Sequence, residues 1–78
     1  MSRAIGMIEF KTVSAGITAA DRMVKTADVE LLEAQTVCPG KYIVIISGVL
    51  SAVDAAVSTA RVQHGEHLIS SFVLGNPH

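Results

Sequence analysis

One thiol stands out among the groups that could do chemistry: Cys38, the only cysteine, which opens the run Cys38-Pro39-Gly40-Lys41. A lone cysteine forms no disulfide within the chain. As a nucleophile it needs a base held beside it. The histidines are His64, His67 and His78, and nothing in the sequence places one of them next to Cys38. The plain reading is a turn cysteine without a ligand, or a thiol that oxidises against copies of itself. Lys41 comes just after the turn, either presenting positive charge to anions or simply solvated. His64 and His67 are three apart across Gly65. Metal sites use closely spaced histidines, but a helix end at Gly65 splays these two apart, so they read as surface residues. Asp21, Glu30, Glu33 and Asp54 form no obvious acid–base pair. The sequence carries no Ser-His-Asp order and no glycine-rich phosphate loop. A catalytic site therefore has no support.

The elements that position these residues form a simple pattern. Ala4–Lys11, with Ile5, Met7, Ile8 and Phe10, reads as a partly buried strand. Thr12 or Ser14 can cap the next element. Val13, Ile17, Ala20, Val24 and Ala27 recur at helical spacing, which predicts an amphipathic helix over Val13–Thr26 with these residues as its inner face. Asp28–Val37 reads as a second strand. Pro39-Gly40 is a strong turn signal, because Pro presets φ and Gly accepts positive φ. Tyr42–Ile46 is nearly continuous and β-branched, which predicts a central strand buried on both faces and ended by Gly48. Val49, Val53, Ala56, Val57 and Ala60 supply a second helical face, ending near Gly65. His67–Leu74 is the last strand, with a terminal turn after it. The order βαββαβ predicts a ferredoxin-like α+β domain over 1–78. Two helices cover one face of a four-stranded antiparallel sheet. The other face is left for solvent or partners.

Composition narrows the function further. The chain has 78 residues and a formal net charge of −1, with 50% hydrophobic and 4% aromatic residues. A domain this short buries only about 60% of its unfolded surface, and such domains often lean on partner subunits. An apolar chain of this size is expected to form a homo-oligomer. It lacks the basic stripe and stacking aromatics of a nucleic-acid binder. The apolar stretch Tyr42–Val57 is broken by Ser47, Gly48, Ser51 and Asp54, so no membrane span is expected. The N-terminus lacks the pattern of a signal peptide. A cytoplasmic protein with a reduced thiol is the resulting expectation.

Several motifs occur together and in order: Ala4-Ile-Gly-Met-Ile-Glu9, then Ala19-Ala-Asp-Arg-Met-Val-Lys-Thr-Ala27, then Val29-Glu-Leu31, then Phe72-Val-Leu74 before Pro77-His78. Through them the chain resembles the bacterial microcompartment domain family over essentially its whole length. The resemblance implies a shell protein, not an enzyme. It implies flat, usually hexameric tiles that join other shell proteins edge to edge around encapsulated enzymes. It also implies a central pore for small metabolites, lined by the loop between the second and third strands. Here that loop is Val37, Cys38, Pro39, Gly40 and Lys41. Most members carry small polar residues and glycines there, so Cys38 is a departure.

A Cys-Pro-Gly-Lys loop resembles a minority of shell proteins thought to hold an iron–sulfur cluster at the pore. One kind is the first domain of the tandem shell protein of propanediol-using compartments; another is the single-domain type of glycyl-radical compartments. Both remain open for this chain. Clusters are held by several thiolates, so Cys38 could be a metal ligand only with its copies around a symmetry axis. Three thiolates suit the three-fold axis of a [4Fe-4S] cube, whereas six do not match it. The resemblance further places Lys25 at the tile edge. It sets Asn76 where many members carry an arginine that reaches into the next tile, and Asn cannot make the same charge-assisted contacts. The alternative function is an oligomeric ferredoxin-like sensor of small molecules, which would leave the opening motif unexplained.

Overall fold

The computed structural model describes residues 3–37 and 40–75. The elements run β1 (Arg3–Phe10), α1 (Val13–Thr26), β2 (Val29–Val37), β3 (Lys41–Val49), α2 (Leu50–His64), a 3-10 turn (Gly65–His67) and β4 (Leu68–Gly75). The sheet has four strands in the order β2-β3-β1-β4, and every pairing is antiparallel. Both helices pack on the same side, α1 towards β2 and β3, α2 towards β1 and β4. This is the expected α+β, ferredoxin-like arrangement.

Each element has a local cause. The Ala15 N–H donates to Thr12 Oγ1 at 3.2 Å, so Thr12 caps α1 by satisfying one of its free amides. Alternation sends Ala4, Gly6, Ile8 and Phe10 of β1 to the helix side. They meet Val44 and Ile46 of β3 and Met23, Val53, Ala56, Val57 and Ala60 of the helices, forming one apolar core. Two register shifts, at Glu9/Phe10 and at Leu31/Glu33, bend the ladder near its edges.

Three expectations need correction. The inner face of α1 is Gly16, Ala19, Ala20 and Met23, whereas Ile17 and Val24 are exposed. The smaller side chains win because the helix lies close to the sheet. A Cβ on Gly16 would stand 2.2 Å from Tyr42 Cδ2 and 2.9 Å from Tyr42 Cβ. Gly48 does not end β3, which continues to Val49. Gly48 pairs with Ala4 and Val29, and a Cβ there would meet the Asp28 carbonyl at 3.0 Å. The glycine thus serves a close backbone approach within the strand. Finally, β3 is not buried on both faces. Val44 and Ile46 are fully buried on the helix side, while Ile43 and Ile45 are half-buried on the open side.

Candidate functional site

The expected site is the connection between β2 and β3. Val37 is paired with Lys41, so three residues make the reversal. Gly40 has φ of +82°, the only positive-φ glycine among the described residues. A Cβ added there would meet nothing within 4 Å. Its backbone conformation, not crowding, is what calls for glycine. Val37 is half-buried and Lys41 exposed. Cys38 and Pro39 lie outside the described residues, as do Asn76, Pro77 and His78.

Topology places other polar groups at the same end of the sheet. The row Thr36–Tyr42–Phe10–Leu68 crosses all four strands just inside the turn. Lys11 and the Gly65–His67 turn lie immediately beyond it, joined where the Lys11 N–H donates to the His67 carbonyl at 2.6 Å. His64 is not a plain surface residue. Its ring is half-buried, edge-on to Phe10 at 6.3 Å, with Nε2 shielded from solvent and without a partner among the described residues. His67 is exposed. No three His, Cys, Asp or Glu side chains gather as a metal site among the described residues.

The described surface carries two shallow grooves. One, of about 500 Å³, is lined by Val62–His67, and one of about 310 Å³ by Ser58, Thr59, Val62 and Gln63. Neither includes Val37, Gly40 or Lys41.

Lys25 sits in the last turn of α1, where its charge suits the helix dipole. Its Nζ lies 3.2 Å from Asp21 Oδ2, an exposed pair four residues apart on the helix. On the open side of the sheet the Arg3 guanidinium donates to Ser47 Oγ at 3.3 Å and to Glu30 Oε1 at 3.5 Å. These contacts tie β1, β2 and β3 together across the uncovered face.

A small two-layer domain that leaves one apolar sheet face uncovered has the form of an assembly subunit. Its relatives define which one. The BMC domain family matches residues 4–77. The chain is 41% identical over 78 residues to the bacterial microcompartment shell protein PduT of Citrobacter freundii, covering 100% of this chain and 42% of that protein. It is 40% identical over 83 residues to the carboxysome shell protein CcmK2 of Synechocystis sp. (strain ATCC 27184 / PCC 6803 / Kazusa), covering 100% of this chain and 80% of that one. A crystal structure of a microcompartment protein from Desulfitobacterium hafniense matches with a TM-score of 0.91 at 43% identity. That match covers 97% of this chain and 42% of that chain. This chain thus spans less than half the length of PduT and most of the length of CcmK2. It belongs to the BMC domain family, and the relatives it matches are shell proteins of bacterial microcompartments and carboxysomes. Among the described residues, no helix is long and apolar enough to cross a membrane.

Proposed function

We propose that copies of this chain form a ring-shaped tile, a hexamer in the simplest case, in which the Val37–Lys41 turn lines a central opening for small metabolites. The observation that carries the reading is the reversal between the paired Val37 and Lys41, with Gly40 at positive φ, in a chain whose sequence relatives are shell proteins. Such a reversal becomes a lining only when copies surround an axis. Lys41 then brings a ring of positive charge to the opening, which favours anionic metabolites. Lys25 and Asn76 belong at the outer margin, where tiles meet other shell proteins.

The pore carries a second proposal. One chain offers one thiol, so a single chain does not fit an iron–sulfur cluster. Copies of Cys38 around the axis supply the missing thiolates, three of them for a [4Fe-4S] cluster with trimer-like symmetry. Such a cluster would bring electron transfer, or cluster transport, to the shell. In such a ring the backbone N–H of Gly40 would donate a hydrogen bond to the cluster's sulfurs, and Pro39 has no N–H to offer.

Anaerobic purification followed by native mass spectrometry and iron and sulfide assay, beside Cys38→Ser, tests both parts. A six-subunit ring whose iron is lost in Cys38→Ser is the expected result. A ring that stays free of iron after cluster reconstitution would remove the cluster and leave the tile. A monomer would overturn the tile.

A further inference from the structure

The end of the sheet that carries the Val37–Lys41 reversal holds two cations whose placement the fold itself does not explain. Phe10 and Tyr42 form the last register pair of β1 and β3. Lys11 follows Phe10 and Lys41 precedes Tyr42, so one further step sets the two lysines against each other, about 5 Å apart between Cα atoms. Phe10 is buried in the core beneath the helices and Tyr42 packs against that core, so alternation turns both lysines to the uncovered side of the sheet. Both are exposed. The Lys11 backbone is tied down here, since its N–H donates to the His67 carbonyl at 2.6 Å.

Like charges directly opposite on neighbouring strands are destabilising. The carboxylates of the chain do not relieve this pair. Among the described residues the ion pairs are Arg3–Glu30 and Asp21–Lys25, and neither includes Lys11 or Lys41. Glu9 is on the same face as Lys11, but it accepts from Ser70 Oγ at 3.5 Å, on the β4 side. Glu33 is opposite Ile45, four residues along β3 from Lys41 and so about 13 Å away. Glu66 lines the groove at the end of α2, among Val62–His67.

We propose that Lys11 and Lys41 together bind a doubly charged oxyanion of the phosphate type, the group carried by a phosphorylated small metabolite. Each ammonium donates to a different oxygen of the same anion. Binding replaces the repulsion between the two lysines with charge-assisted hydrogen bonds. A singly charged carboxylate offsets only one of the two charges, so the pair selects dianions over monoanions. The site belongs to each chain by itself. Its role in passage rests on the pore reading above: in a ring, Lys11 extends the charge of Lys41 from the opening onto the uncovered sheet face.

Nuclear magnetic resonance of the full chain tests the site. The amide shifts are followed in mildly alkaline buffer while inorganic phosphate, glycerol phosphate or acetate is added, with chloride holding the ionic strength constant. Saturable shifts at Lys11 and Lys41 are expected with the two phosphates and not with acetate. The tighter of the two phosphates tells whether the site takes the free anion or an ester. Lys11→Gln and Lys41→Gln should each weaken binding at least about 10-fold, and Arg22→Gln, an exposed cation on α1, should leave it unchanged. Neither lysine change should lower the melting temperature in chloride, which separates lost binding from lost folding. The absence of a saturable shift, acetate binding as tightly as phosphate, or an equal loss in Arg22→Gln would overturn the site. Native mass spectrometry of the same samples reports the ring. Phosphate bound by a chain that forms no ring would keep the site and remove its pore role, whereas a ring that binds no phosphate would overturn the site and leave the tile standing.

Discussion

The two faces of the sheet are built from the same kinds of side chain and meet opposite fates. On the helix side Ile8, Val44 and Ile46 are fully buried beneath α1 and α2. On the other side Ile5, Ile43 and Ile45 come from the same strands and remain half in water. Antiparallel sheets that face solvent on one side normally alternate apolar with polar residues. β1 and β3 do not, and their runs Ile5–Ile8 and Ile43–Ile46 are apolar almost throughout. The contrast teaches that position relative to the helices, and not side-chain type, decides which apolar residues of the sheet are buried.

The sharpest way to break the comparison is to truncate one residue on each face. Ile8→Ala should cost about 2–5 kcal/mol, because the cavity lies among groups that relax little. Ile5→Ala should change the stability of the isolated subunit by about 0.5 kcal/mol or less, while weakening assembly. Denaturant titration at a fixed protomer concentration separates the two, since stability and assembly are linked. Equal losses in both would remove the distinction between the faces.

The next effect concerns how closely the covering layer approaches. Gly16→Ala places a Cβ against the ring and Cβ of Tyr42. Neither can swing away as a flexible tip could, so a loss of about 1–3 kcal/mol is expected. Tyr42→Ala should relieve much of the added strain, and a double-mutant cycle reads that coupling. Additive losses would show that α1 is free to lift from the sheet.

At the turn, Gly40→Ala should cost about 1–2 kcal/mol from left-handed backbone alone, since there is room for the methyl group. Thermal melting measures it, and a neutral result would mean that the turn readily adopts another conformation. Smallest is Lys25→Ala. The Asp21–Lys25 pair is exposed, so subunit stability should move by no more than about 0.5 kcal/mol. Electron microscopy of assembled sheets supplies the more telling readout. Disordered sheets from an equally stable subunit would support a tile-edge role, and unchanged sheets would remove it.

Much of the fold was legible because local chemistry and global fold agree. Helix α1 falls on the span expected from its apolar spacing, bounded by the Thr12 cap. The break between β2, ending at Val37, and β3, beginning at Lys41, falls where the Pro-Gly signal predicts it, with Gly40 at positive φ. What misled was size. A large apolar residue at helical spacing is the ordinary sign of an inner face, and Ile17 and Val24 carry that sign. They lie instead on the flank, because only glycine and alanine fit where α1 crosses Tyr42. Gly48 misled in the same way: a glycine after a β-branched run looks like a stop, yet here it lets two neighbouring strands come close. His64 gave no sign of burial in the sequence, since its contact with Phe10 joins positions far apart in the chain.

By itself, then, the sequence determined the order of elements, the caps and turn, the family, and the presence of one thiol at the turn between β2 and β3. Those depend on neighbours a few residues apart, where backbone preferences and periodicity act directly. Only the tertiary structure decided which apolar residues form the core and which stay exposed. Burial depends on distances between strands and helices that meet from distant parts of the chain, and on which side chains are small enough to let them meet.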